Sequence, residues 1–412
     1  MLRKNRAVLS ALLKFYQLYI DRMAEHIEIK NLFPQAKRKI NFVKRAGGKP
    51  FPRPTSKCPL KETVNCKRLI EYRLTIIFFR RYFFGMPSLK QTDFEDIFCR
   101  SWGEMWPLMA EAHRLRERHF GRQVSFCVIT NAKSGLCSED CAFCSQAAGA
   151  RGEVPRYPLP PLEELVTAAA QAAAAGASRF SLVTSGRGII SRKEQEALLR
   201  TVAAIREAVP IQVCVSLGIV ERGFLEELKA AGVSRYHHNL EAAASFFPQI
   251  CTTHSYAERV ATIETARSAG LSVCAGGILG LGESLAQRWE LAQALKELAV
   301  DAIPLNFLHP LPGTGLAGRP LLSPLEALQS IVAFRLHFSD RPLIICGGRQ
   351  ATLRSLAPLI FAAGANCLMT GDYLTTKGRL PQEDRQMLAD LDLELVQEKT
   401  VSSKQWPVAS DQ

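Results

Sequence analysis

No stretch of this sequence is long and apolar enough to cross a membrane. The most apolar N-terminal run, Leu74 to Gly85 (LTIIFFRRYFFG), is too short for a bilayer and carries two arginines. Acidic residues are scarce at the start. Residues 1–85 hold 20 Lys+Arg against 5 Asp+Glu, so the net charge of +13 belongs to that segment. Residues 86–412 carry 32 basic and 34 acidic side chains, which gives the body of the chain no electrostatic reason to bind nucleic acid or an acidic membrane. A disulfide framework is also missing. Of 12 cysteines, three cluster within eight residues and most others lie singly in apolar, strand-like runs, unlike a short, loop-rich secreted scaffold. Metal or cluster ligation in a reducing, cytoplasmic setting is the better expectation.

Residues 1–85 show no sustained helical or strand period. A transit peptide, a basic interaction arm and an over-extended start ahead of Met86 all fit their composition, and the third is favoured. The expected organisation is a disordered or artefactual extension over 1–85, an N-terminal helical segment over 86–122, a barrel over 123–395 and a disordered tail over 396–412.

From residue 93 the pattern is regular. Residues 93–122 read as helix, with apolar Phe94, Ile97, Phe98, Trp102, Met105, Trp106 and Met109. Short apolar runs then alternate with helical ones. The expected strands are 124–130, 178–184, 211–217, 234–240, 271–279, 302–308, 342–346 and 366–370. The expected helices are 161–175, 192–208, 221–231, 256–269, 284–298, 323–338 and 352–363. Several helices end at an Ala-Gly pair, where glycine takes the left-handed turn that satisfies the last carbonyls. Strands this apolar belong to a parallel sheet covered by helices, and eight repeats is the number that closes a (β/α)8 TIM-type barrel. An open doubly wound sheet is the alternative.

The central motif is Cys137-Ser-Glu-Asp-Cys141-Ala-Phe-Cys144, directly after the first strand. Loops at that end of a barrel strand carry the active site in this architecture. Three thiolates hold three irons of a [4Fe–4S] cube and leave the fourth iron for a chelating ligand. A structural zinc site wants four ligands with paired spacing, and no second Cys or His pair stands nearby. Phe143, next to the third cysteine, would shield the cluster from water.

This spacing resembles that of the radical S-adenosylmethionine enzymes. In that family the methionyl amine and carboxylate chelate the open iron, and one electron breaks the sulfonium bond to give a 5′-deoxyadenosyl radical. Further segments resemble the biotin synthase family in particular: Tyr236-His-His-Asn-Leu-Glu241, Thr252-Thr-His-Ser-Tyr-Ala-Glu-Arg259, Gly276-Gly-Ile-Leu-Gly-Leu-Gly-Glu283, Gly348-Arg-Gln350, Ala362-Ala-Gly-Ala-Asn366 and Gly371-Asp-Tyr-Leu-Thr-Thr376. The resemblance spans residues 95 to about 395. It implies sulfur insertion into dethiobiotin, a flavodoxin- or ferredoxin-type electron donor and a homodimer. It places Asn239 and Glu241 at the nucleoside and substrate, Arg259 at the methionyl carboxylate, Gly276, Gly277, Gly280 and Gly282 along the adenosine, and Asn306 at dethiobiotin. A carboxylate suits a ribose diol because it accepts from two hydroxyls.

The family pattern also implies a second, buried cluster that donates sulfide. Its usual form is a [2Fe–2S] cluster on three cysteines and an arginine. Cys214 and Cys274 keep two of those positions, while Ser181 and Ile344 stand at the others. Cys127 on strand one and Cys346 on strand seven offer replacements. Inward side chains of alternate strands form layers of four, so Cys127, Cys214, Cys274 and Cys346 are expected to surround the axis in one layer and to ligate a four-iron auxiliary cluster. Cys99, Cys251 and Cys367 read as isolated buried thiols, and Cys58 and Cys66 lie in the extension. Two competing readings are another radical enzyme on this scaffold, in cofactor or hydrogenase assembly, and a non-catalytic iron–sulfur carrier.

Overall fold

A computed structural model describes residues 89–396. The expectations for residues 1–85 and for the tail after 396, with Cys58 and Cys66, lie outside the described residues.

Ten strands occur among the described residues: β1 (Gln123–Lys133), β2 (Arg179–Thr184), β3 (Gln212–Ser216), β4 (Arg235–His237), β5 (Ser272–Cys274), β6 (Gly277–Leu279), β7 (Ile303–Phe307), β8 (Leu343–Ile345), β9 (Cys367–Met369) and β10 (Glu394–Leu395). They pair in parallel in the order β5-β4-β3-β2-β1-β9-β8-β7-β6, with β10 added beside β1. The path begins and ends on one extended run, residues 272–279. Its first half pairs with β4 and its second with β7, and single bridges Cys274–Ala302 and Glu241–Gly277 span the junction. Eight extended runs therefore form a ring, and the fold is a (β/α)8 barrel. The expected strand 271–279 is broken at Ala275–Gly276, where the chain passes so close to β7 that a Cβ on Gly276 would lie 1.9 Å from the Pro304 carbonyl oxygen.

Helices follow the strands because each presents one apolar stripe. In the helix Arg192–Ala208, buried Leu198, Thr201, Val202 and Ile205 recur at helical spacing while the first turn stays polar. Each such large apolar side chain contributes about 1.5–3 kcal/mol when fully buried. The helices ending before Gly176 and Gly232 stop at glycines with φ of 89° and 103°, as their Ala-Gly signatures foretold. The single helix expected over 93–122 is two, Gln91–Ile97 and Trp102–Phe120, the second opened by a Ser101/Glu104 capping box. Phe94 of the first sits edge-on to Phe334, 6.0 Å between ring centres, on the helix Pro324–His337. A further helix, Pro381–Asp390, returns the chain to β10. Among the described residues no helix is long and apolar enough to cross a membrane.

Candidate functional site

The loop after β1 lies over the C-terminal end of the barrel and carries Cys137, Cys141 and Cys144, none of them in a disulfide. Two cavities open beneath it. The larger, about 350 Å³, follows the barrel axis. The smaller, about 150 Å³, lies between the loop and the ends of β3 and β4. Cys144 lines the larger cavity, Cys137 and Cys141 line the smaller, and Ser216, His237, Asn239 and Glu241 line both. The motif thiols therefore sit where the two spaces meet. Burial pushes the Cys144 thiol up to about 11 and Cys141 higher still, so these sulfurs remain protonated unless a metal takes the proton's place. Three thiols on one loop, none of them in a disulfide, fit a cluster with one open iron.

The loop is clamped by residues that the sequence did not single out. Asp140 accepts from the backbone nitrogens of Thr252 (2.9 Å) and Thr253 (3.2 Å) and from both threonine hydroxyls. Glu139 accepts from Thr253 Oγ1 at 2.8 Å and pairs with His254 Nδ1 at 2.7 Å. Cys251 is not isolated either. Its Sγ lies 3.8 Å from Cys141 Sγ and 3.2 Å from His254 Nδ1. The signal available in sequence was the acidic pair between the first two motif cysteines.

The hydrogen bond from the Thr252 hydroxyl, more than opposing burial, holds the Asp140 carboxyl far below the ordinary range, with the Thr252 amide adding to it. Its folded pKa is depressed, so the clamp stabilises fully above the unfolded value near pH 4 and weakens only as pH falls through the lower folded value. Asp140→Ala is expected to cost about 1.5–3 kcal/mol, the worth of hydrogen bonds to a charged group, or roughly ten- to a hundredfold in retention of loop iron against a chelator at neutral pH. Iron release rates measured beside the parent protein check this.

Arg259, on the helix Tyr256–Ser268, reaches back under the loop. Nη1 donates to Asn239 O at 2.8 Å, Nε to His254 Nε2 at 3.1 Å, and Glu241 Oε1 lies 3.7 Å away. Arg259 also lines the smaller cavity. Burial raises the Glu241 carboxyl, and Arg259 and Asn239 pull it back. Glu241 has φ of 66°, an uncommon conformation costing about 1–3 kcal/mol, and its carbonyl accepts from Ile278 N at 2.8 Å. The Asn239 amide is oriented at both ends, accepting from Gly276 N (3.1 Å) and donating to Glu241 Oε2 (3.3 Å). Burial lowers His237 to about 4, so it stands as a neutral wall between the cavities. Asn306 lines the larger cavity and bridges Gly277 O and Gly347 N.

The expected glycines behave differently. Gly276, Gly277, Gly280 and Gly282 line neither cavity, and Ile278 is what this segment presents to the larger one. A Cβ on Gly277 would lie 2.7 Å from Glu241 O, and Gly280 and Gly282 have φ of 92° and 112°. Close packing of the barrel's own backbone demands glycine at 276 and 277, and the left-handed φ demands it at 280 and 282, independently of the contact with adenosine expected of this segment.

Deeper in the larger cavity five cysteines gather: Cys127, Cys214, Cys274, Cys346 and Cys367. The pairing register assigns their levels. Cys127 pairs with Arg179, Cys214 with Arg235, Cys274 with Ala302 and Ile344 with Cys367. Because strands tilt, a layer normal to the axis climbs two residues at every second strand. That layer holds Cys127, Cys214, Cys274 and Ile344. The expected single layer of four cysteines is therefore corrected: Cys346 stands one odd-strand layer nearer the mouth. Cys367, taken from sequence as isolated, belongs to the layer just beneath, with Arg179, Arg235 and Ala302. Arg179 Nη1 lies 3.7 Å from Cys214 Sγ, and Arg235 Nε donates to Ser272 Oγ at 3.1 Å. Burial pushes Cys274 up to about 12 and Cys127 and Cys346 well above the ordinary thiol range. Neutral thiols over two guanidinium groups form a donor set suited to an anionic thiolate cluster.

The Radical SAM superfamily profile matches residues 133–295, and the Biotin and Thiamin Synthesis associated domain matches residues 304–394. The solved structure of methylornithine synthase superposes with a TM-score of 0.66 at 19% identity, covering 75% of this chain and 95% of that one, a likeness of fold. The biotin synthase of Trichlorobacter lovleyi is 50% identical over 291 residues, 71% of this chain and 87% of its own. That of Pelotomaculum thermopropionicum is 51% identical over 280 residues, 68% and 87%. Identity of this extent over more than two thirds of the chain is beyond what a shared scaffold produces, and the chain belongs to the biotin synthase family of radical S-adenosylmethionine enzymes.

Proposed function

We propose that this enzyme inserts sulfur into dethiobiotin within one continuous space roofed by Cys137, Cys141 and Cys144 and floored by the interior thiols. The observation that carries this reading is the pair of adjoining cavities sharing Ser216, His237, Asn239 and Glu241, with a thiol set at each end. In it, Cys137, Cys141 and Cys144 would hold a [4Fe–4S] cluster, with S-adenosylmethionine in the smaller cavity and dethiobiotin in the upper part of the larger. When bound, the cluster and the sulfonium nucleoside supply a carbon radical able to remove hydrogen from an unactivated C–H bond.

The chain's own groups position and insulate. Arg259 Nη2 faces the methionyl carboxylate, a charge-assisted contact. Glu241 accepts from the ribose hydroxyls, and Asn239 and Asn306 offer amide groups to nucleoside and substrate. Neutral His237 adds no charge that would draw water between the reacting parts. Cys127, Cys214, Cys274 and Cys346 would hold a second, four-iron cluster as sulfur source, and Arg179 and Arg235 would offset its negative charge. A small flavodoxin- or ferredoxin-type protein supplies electrons to a homodimer.

Cys127 decides the class of the second cluster, because the usual two-iron pattern has no ligand there. Anaerobically rebuilt parent protein is expected to bind about eight irons per chain, and Cys127→Ala about four, with biotin formation lost. Iron and sulfide counting with Mössbauer spectroscopy reads the result. A parent protein with only about six irons, all kept by Cys127→Ala, would establish the usual two-iron cluster instead.

A further inference from the structure

The register leaves one corner of the interior thiol layer without a donor. Ile344 occupies it, and an apolar side chain holds no metal. Two thiols flank that corner. Cys346 lies two residues further along the same strand on the same face, with its Sγ 3.5 Å from Ile344 O. Cys367 stands beside Ile344 on β9, in register with it. Both are buried and both face the larger cavity. They also pack together: Cys274, Ala302, Ile344, Cys346 and Cys367 form one buried cluster against which Cys127 packs.

We propose that Cys346 and Cys367 are alternative ligands for a single corner of the auxiliary cluster, one from above Ile344 and one from beside it. The inference rests on the reading that a four-iron cluster occupies this layer. A cube takes four thiolates, and five thiols face it, so one is spare at any moment. Exchange at the corner breaks one iron–cysteine bond, whose thiolate takes up a proton, and forms another, whose thiol gives one up. Protons, electrons and charge are unchanged. The device suits a cluster that must surrender sulfide, since the iron that loses a sulfide bond finds a replacement sulfur within the wall and stays in the barrel.

The test compares parent protein, Cys346→Ala, Cys367→Ala and the double variant, all rebuilt anaerobically, by iron and sulfide counts and Mössbauer spectra. The loop cluster is the internal control for folding. Each single variant is expected to keep both clusters, about eight irons, with one iron site of the second cluster shifted in the spectrum. The double variant is expected to drop to the loop's about four. If either single variant empties the second site, that thiol is its sole ligand and the proposal fails. If the double variant keeps both clusters, neither thiol is a ligand and it also fails. Should the alanine double lose the loop cluster too, the near-isosteric double Cys346→Ser, Cys367→Ser is scored by the same counts. Absence of a second four-iron cluster from the parent protein would overturn the underlying reading before any substitution is compared.

Discussion

Asp384→Ala is expected to cost about 3–5 kcal/mol of folding stability, the usual penalty for stranding one member of a buried ion pair. Asp384 and Arg349 are both fully buried, joined by two parallel bonds of 3.0 and 2.8 Å. Thr370 Oγ1 donates to the same carboxylate at 2.8 Å. Arg349 belongs to the short helix after β8, three residues beyond Cys346, and the Tyr373 hydroxyl donates to Cys346 O at 3.1 Å. The pair therefore fixes the C-terminal helix and the rim of the interior thiol site together. With alanine in place, the guanidinium keeps its desolvation cost and loses its compensating charge. Replacing both buried partners with apolar residues, as in Arg349→Met with Asp384→Leu, is expected to cost much less, because no fully buried charge remains; Arg379, 3.6 Å from the carboxylate, is partly exposed and keeps Glu383. For a domain of this size the single variant should lower the melting midpoint of the metal-free protein by roughly 6–10 °C. A scan in which the double variant melts as low as the single would show that lost packing, rather than a stranded charge, dominates.

The parts legible in the sequence are those fixed by neighbours along the chain. A parallel strand covered on both faces must be apolar throughout, so all eight barrel runs could be located. The motif Cys137, Cys141 and Cys144 needs only local spacing. What escaped depends on closure of the ring. Cys127 and Cys214 share a layer only because the tilt of the strands adds two residues between β1 and β3, and the same offset places Ile344, not Cys346, at the fourth corner. Strand alternation gave the facing of Cys346 correctly but could not give its height. Cys367 lies 240 residues from Cys127, and no pattern along the chain links them before β9 pairs with β1. Arg179 and Arg235 were readable in part, since each alternates with inward residues, Ser181 and His237. Their common task beneath the thiols appears only in register. The helix containing Asp384 was not foreseen, because its buried face is three residues, Asp384, Met387 and Leu388, one of them charged.

Arg259→Met is expected to weaken S-adenosylmethionine binding by roughly thirty- to several-thousandfold, the 2–5 kcal/mol that follows truncation of a buried, hydrogen-bonded charge partner. Nε and Nη1 of Arg259 are held by His254 and Asn239, so in the proposed role Nη2 would meet the carboxylate from a position set before the ligand arrives. Lysine at this place keeps a charge but not the planar fork that engages three partners at once, and Arg259→Lys should recover only part of the loss. The substitution also acts through Glu241. Burial already raises that carboxyl, and Arg259 is the main influence drawing it back. Without the guanidinium, Glu241 stays protonated to higher pH and cannot accept from both ribose hydroxyls. Residual binding by the methionine variant should therefore strengthen with pH over a higher range than any such rise in the parent, where Arg259 draws the Glu241 carboxyl down. Equilibrium binding and 5′-deoxyadenosine release across pH separate these effects: an equal pH profile in both proteins would leave Arg259 as a carboxylate partner alone, and unchanged affinity would remove it from the nucleoside site.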